Sequence, residues 1–287
     1  MNIAKPNDKK IMNDNDFSYD PVTAIDEVKA SGEIAKIFSD IRNTMGIPLI
    51  TSIWRGLAGM NNNLPKVWRL AKPIYKSGKP EKALFEMIEK LNLPIPKPLQ
   101  NITIERTNLS NEDIINIRQI IKVYNRSNGM NLMALSALVT INFNPIEEKN
   151  VKSKYSLDGN FPKLMTKDKI TSNTWNSICK VNAFGSPDGI NSQVATLWRH
   201  LAYWPSFLSL VHDELKPLQT AGVIEETLEA VLKHTMNRGI VLQQQLTKYH
   251  NIDDNAVTTI TNYVHTKYQV IRMVTIGHIM ERWLENI

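Results

Sequence analysis

The 287-residue chain has one cysteine, Cys179. That excludes an intramolecular disulfide framework and all paired-cysteine chemistry, from zinc ribbons to dithiol peroxidases. Gly-x-Gly-x-x-Gly, the Walker A loop, Gly-x-Ser-x-Gly and His-Glu-x-x-His are all missing. The common nucleotide, hydrolase and zinc-protease readings therefore lose their support. The six histidines (His200, His212, His234, His250, His265 and His278) include no pair four residues apart. His278 and Glu281 stand three apart on a helical pattern, a spacing more often electrostatic than metal-binding. No metal and no cofactor are expected. The N-terminal stretch MNIAKPNDKKIMNDNDF lacks the apolar run of a secretory signal, and with so little cysteine it suggests a cytoplasmic chain.

Long apolar runs are also scarce. Between Arg126 and Glu147 lie 20 residues without a charge, close to the length of a membrane span. Asn128, Asn131, Asn142, Asn144 and Pro145 sit inside that stretch, and each amide would need a partner in lipid. A buried core helix is the expectation, not a membrane span. No alternating apolar/polar strand of six residues is found.

What is present is helical periodicity. Ile34, Ile37, Phe38 and Ile41 follow one helix face. Pro48 is expected to open a second helix carrying Ile53, Trp54, Leu57 and Ala58, ended by Gly59. A third, from Leu64 to Ser77, contains Pro73, which is expected to bend it. Ala83, Leu84, Met87, Ile88 and Leu91 form the next stripe. Ser110 and Asp113 resemble a capping box for the helix of Ile114, Ile117, Ile120, Ile121 and Tyr124. The fold class expected is all-α.

An internal repeat organises these helices. At an offset of 144 residues, Trp54, Arg55, Leu57, Ala58, Leu64, Val67, Lys72, Pro73 and Gly78 match Trp198, Arg199, Leu201, Ala202, Leu208, Val211, Lys216, Pro217 and Gly222 without a gap. The register continues through Glu81/Glu225, Leu84/Leu228 and Tyr124/Tyr268. Two copies of this length imply a fused pseudo-dimer with approximate two-fold symmetry. The expected organisation is a polar tail over 1–25, a first helical repeat over 26–142, a surface linker over 143–169 and a second repeat over 170–287. The net charge is only +6, and the lysines of the tail and linker read as solvated segments. Interleaved arginines and aromatics on one face, as a nucleic-acid surface requires, are missing.

A cleft on such an axis receives side chains from both halves and is the natural place for a small-molecule site. Positions where the halves agree are scaffold first; positions where they differ can carry asymmetric chemistry. Arg55 and Arg199 either bond carbonyls or present a planar fork to a substrate carboxylate. His200, opposite Gly56, either packs as a satisfied structural histidine or serves as a general base near neutral pH.

Gly32-Glu33, Asp40-Ile41-Arg42, Pro48, Leu64-Pro65 and Trp68-Arg69, followed by Tyr124-Asn125 with Asn128 and by Trp204-Pro205 with Asp213-Glu214, occur in an order and spacing that resembles the group I 2-haloacid dehalogenases, which act on both D and L substrates. The resemblance runs over most of residues 30–285 and implies an all-helical fused pseudo-dimer with its site between the halves. It also implies a buried aspartate that activates a water for direct, inverting attack on the halogen-bearing carbon, with an asparagine holding the water. Asn128 matches that asparagine. The aspartate's place falls on Leu197, which cannot take a proton, and the nearest upstream carboxylate, Asp188, lies in a Gly-Ser-Pro-Asp-Gly turn where a solvated side chain is the default.

By position, Asn128, Thr196 and His200 are the candidate catalytic residues, with Ser52, Leu49, Leu197, Asn131 and Arg199 as candidate substrate-binding residues. The expected partner is a small molecule, a carboxylic acid above all, with no nucleic acid and no membrane; a homodimer is compatible. Two functions stay open: an enzyme on a small carboxylic acid by a changed mechanism, or an inactive relative that binds a small ligand or has a structural role.

Overall fold

The computed structural model describes residues 24–98, 107–139, 162–242 and 252–285. Most of the expected tail and linker, and the end of the uncharged stretch from 140 on, lie outside these residues. The described residues are helical, with no strand among them. None of their helices is long and apolar enough to cross a membrane.

The first half holds α1 (Gly32–Met45), α2 (Ser52–Ala58), α3 (Asn63–Lys76), α4 (Lys79–Lys90) and α5 (Asn111–Val139). α6 (Ser172–Asn182), α7 (Thr196–His200), α8 (Pro205–Thr220), α9 (Val223–Leu242), α10 (Asp254–His265) and α11 (Arg272–Leu284) form the second. α1 buries Phe38, Ile41 and Met45. α2 begins at Ser52, not at Pro48, because Thr51 is extended and the Ile50 N–H donates to the Glu27 carboxylate instead of entering a helix. Pro73 and Pro217 lie inside α3 and α8 at the same point of the repeat.

α5 is the central element. Ser110 and Asp113 cap it reciprocally: Ser110 N donates to Asp113 Oδ2 at 2.9 Å and Asp113 N to Ser110 Oγ at 3.1 Å. The other carboxylate oxygen of Asp113 accepts the Trp204 indole N–H at 2.7 Å, tying this cap to the start of α8. From Met130 to Leu138 every residue of α5 is buried, as a helix enclosed on all sides requires. It packs against α3 and α4 of its own half and against α9, α10 and α11 of the other. At the crossing with α11, a Cβ on Gly277 would lie 1.9 Å from Asn125 Oδ1, so any larger residue there has to displace the buried Asn125 amide.

Elements recur at the spacing of the sequence repeat. Shifting α2, α3 and α4 by 144 residues brings them onto α7 with its following 3-10 turn, onto α8, and onto the first part of α9. Gly78 and Gly222 both open a helix with positive φ, 71° and 75°, a conformation that excludes most side chains and explains why this pair is glycine. α5 maps onto an interrupted helix. α10 stops at His265, Thr266 is extended, Lys267–Ile271 form a π-turn with Gln269 at φ −103°, ψ −118°, and α11 follows.

Candidate functional site

A cavity of about 370 Å³ lies where the two halves meet, within the size range of small-molecule sites. Thr51 and Ser52 at the start of α2, Tyr124 and Asn128 on α5, the 186–195 loop, Thr196 and Leu197 on α7, and the interruption before α11 all contribute to it. Four lining pairs are related by 144 residues: Thr51/Ala195, Ser52/Thr196, Tyr124/Tyr268 and Asn128/Arg272. Pro187, Asp188, Gln193 and Gln269 are exposed members of the lining.

The loop is held by one buried amide. Asn182, at the end of α6, donates through Nδ2 to the carbonyls of Ser192 (3.3 Å) and Gln193 (3.1 Å) and accepts the Ala195 N–H at 3.0 Å. Its own carbonyl accepts from Arg272 Nη1. On the opposite wall, Lys267 pairs with Glu225 and Glu229, and the Tyr268 hydroxyl donates to Glu225 at 3.3 Å, so the helix interruption is fastened to α9. Helix irregularities of this kind concentrate at functional sites, where surrounding contacts hold them in place.

Four of the candidate residues meet here: Ser52, Asn128, Thr196 and Leu197 all line the cavity. Leu197 is 1% exposed, and no carboxylate stands in its place. The other four candidates are elsewhere. Asn131, one turn beyond Asn128 on α5, is fully buried in a polar cluster. Its Oδ1 accepts from Trp54 Nε1 (3.1 Å) and Tyr75 OH (2.8 Å), and its Nδ2 donates to Thr51 Oγ1 (2.8 Å). Arg199 is buried, with Nε and Nη2 donating to the Met165 carbonyl at 3.3 and 3.0 Å. It therefore takes the carbonyl-bonding role and lines neither of the two cavities described here.

Leu49 and His200 line a separate cavity of about 610 Å³. The two cavities share Tyr124 and Thr196 in their walls. His200 Nε2 lies 2.6 Å from the Pro162 carbonyl and Nδ1 lies 3.1 Å from the Tyr124 hydroxyl. The carbonyl must receive a proton, so Nε2 donates, leaving Nδ1 to accept from the tyrosine. Burial pushes the His200 pKa down, opposed by the bond to Pro162 and aided by the charge of Arg199. The imidazole is therefore neutral at neutral pH and faces the smaller cavity only through Tyr124. In the second cavity Glu27 is pushed up by burial, against the Ile50 N–H and the charges of Arg42 and Arg55.

The charged residues of the smaller cavity's lining are Arg272, which sequence reasoning missed, and Asp188, which it weighed and set aside. Arg272 opens α11 at the wall of the smaller cavity and is 5% exposed. Burial pushes its guanidinium down to about 10, with the charge of Asp188 opposing the shift. The signal was in the repeat: shifted by 144 residues, Asn128 falls on Arg272. Asp188, expected to be a solvated turn residue, is indeed exposed but belongs to the cavity lining. No cluster of three metal-ligating side chains occurs among the described residues.

No family model matches the chain. A configuration-inverting 2-haloacid dehalogenase from Alcaligenes xylosoxydans xylosoxydans is 26% identical over 204 residues, which cover 67% of this chain and 67% of that protein. Among solved structures, a D-2-haloacid dehalogenase mutant in complex with D-2-CPA superposes with a TM-score of 0.69 at 14% identity, covering 91% of this chain and 95% of that one. A D-2-haloacid dehalogenase complex with L-LA gives a TM-score of 0.62 at 14% identity and the same coverage. The chain thus has the fold of the D-2-haloacid dehalogenases and is similar in sequence, along two thirds of its length, to a configuration-inverting 2-haloacid dehalogenase.

Proposed function

We propose that this chain is a 2-haloacid dehalogenase-like protein whose halves, residues 26–142 and 170–287, form a fused pseudo-dimer joined by a linker over 143–169. A small carboxylic acid is taken up in the cavity between them. The observation that carries the proposal is the meeting of Ser52, Asn128, Thr196 and Leu197, from three separate elements, around one cavity of about 370 Å³. Ser52, Thr196 and Asn128 offer hydroxyl and amide groups to a polar ligand, and Leu197 and Val194 give an apolar wall for a short alkyl chain.

The reaction of the dehalogenases needs a base, and the place the resemblance gives it is an aliphatic side chain. His200 does not substitute, because both ring nitrogens are engaged and the ring faces the other cavity. The chain is accordingly a binder of small acids that does not hydrolyse 2-haloacids by an aspartate at position 197. Chloride release from D- and L-2-chloropropionate tests this: none is expected, alongside saturable binding of the same acids. Steady release abolished by Asn128→Ala would overturn the inactive reading.

A second reading has one observation in its favour. Asp188 is the only carboxylate in the cavity lining among the described residues. If Asp188 serves as the base, chloride release occurs in the unaltered chain and disappears in Asp188→Asn.

A further inference from the structure

We infer that Arg272 is the carboxylate anchor of the cavity, gripping an acid side-on through the Nε edge of its guanidinium. This rests on the reading of the cavity as a small-acid site and adds the group that selects the ligand's charge. Arg272 is 5% exposed, and among the described residues no carboxylate comes within ion-pair distance of it. Its Nη1 donates to the Asn182 carbonyl, while Nε is buried with no hydrogen-bond partner. A buried guanidinium with an unused edge is costly unless an anion completes it. Asp188 is the charged group facing it in the lining, and its influence is through space, not by a direct bond.

The position strengthens the assignment. Arg272 and Asn128 are 144 residues apart and line the same cavity. One half thus supplies a neutral amide and the other a fixed cation. At this pair of positions the halves differ in charge, and the Nε edge of Arg272 is not used by any scaffold bond. The bond from Nη1 to Asn182 points the group, since Asn182 also holds the 192–195 segment of the wall. A guanidinium fixed at one nitrogen leaves its Nε edge for two parallel bonds to one carboxylate, the geometry in which arginine exceeds lysine.

Calorimetric titration of the full chain with propionate and with its neutral isostere propionamide tests the inference. Propionate binds, and propionamide binds at least about ten-fold more weakly. Arg272→Met weakens propionate by about 10- to 100-fold, as expected for losing charge-assisted bonds, and leaves propionamide unchanged. Arg272→Lys keeps the charge and the reach to Asn182 and gives an intermediate loss; it decides the matter if the methionine variant does not fold. Equal binding of acid and amide, or propionate binding unchanged in both variants, overturns the anchor. Ser52→Trp, at a position that lines this cavity and not the larger one, fills it and separates the two claims. If acid and amide bind equally and Ser52→Trp abolishes both, the cavity reading stands without the anchor. If neither probe binds the unaltered chain, both fall.

Discussion

The two halves of the chain carry the same pattern of helices, yet one builds a rigid interior and the other an opening. In the first half α5 runs unbroken for 29 residues, and its buried Asn131 amide is satisfied by Trp54, Tyr75 and Thr51. The positions 144 residues on are Thr275, Trp198, Gln219 and Ala195. That cluster is not closed: Trp198 Nε1 and Thr275 Oγ1 are buried without partners, and Gln219 turns away to accept the Gly185 N–H at 2.7 Å. The counterpart of α5 breaks at Thr266–Ile271 and places Tyr268, Gln269 and Arg272 in the cavity wall. Positions 144 residues apart thus differ in how fully their buried polar groups are paired, and the less paired stretch is the one that borders the cavity.

The sharpest way to break that contrast is to remove the polar centre of each half. Asn131→Leu leaves Trp54 Nε1 and the Tyr75 hydroxyl buried without acceptors and should cost about 3–5 kcal/mol. Thr275→Val removes a hydroxyl that already lacks a partner and should change stability by less than about 1 kcal/mol. Urea unfolding of both variants checks the pair. Equal costs would mean the two clusters are not different in kind.

A smaller effect is expected at the crossing of α5 and α11. Gly277→Ala brings a Cβ against Asn125 Oδ1, whose amide nitrogen already donates to Glu281 at 2.6 Å. Overpacking of this kind typically costs about 1–3 kcal/mol. The position 144 residues earlier is Met133, fully buried, so only one half requires the glycine. An unchanged melting temperature in Gly277→Ala would show that the Asn125 amide gives way at no cost.

The smallest effect concerns pH, and again one half alone can show it, since Gly56 stands where the other half has His200. Burial holds the folded pKa of His200 below its ordinary value of 6.5. As pH falls through that value, the unfolded chain takes up a proton before the folded one does. The contribution to stability is thus complete above pH 6.5 and is lost on acidification towards the folded pKa. Stability measured between pH 7 and pH 5 should fall more steeply in the unaltered chain than in His200→Gln, which keeps a donor for the Pro162 carbonyl. Identical slopes would contradict a neutral, buried imidazole.

Local chemistry was the legible part of the sequence. The helix stripes, the Ser110/Asp113 cap and the glycines at 78 and 222 follow from spacing and backbone preference alone. The start of α2 was misplaced at Pro48 because a distant carboxylate, Glu27, claims the Ile50 N–H. Candidate site residues on α5 and α7 divided in the same way. Asn128 and Asn131 are three apart on one helix, and only packing decides that the first meets the cavity and the second the core. His200 could not be oriented from sequence, since its partners Tyr124 and Pro162 lie 76 and 38 residues away. Arg272 was within reach of the repeat arithmetic, but its importance depends on the break in the helix before it, which no periodicity announces.

The central claim is that this cavity is a dehalogenase-type acid site lacking one carboxylate. Leu197→Asp tests it most directly, with chloride release from each enantiomer of 2-chloropropionate as the measurement and thermal melting as the control for folding. Burial should raise the new carboxyl above the ordinary aspartate value of about 3.9, and general-base assistance is typically worth about 10²–10⁴ in rate. The account predicts release by the folded variant, dependent on Asn128 and absent from the unaltered chain. A folded Leu197→Asp protein that binds the acid and releases no chloride from either enantiomer would contradict it.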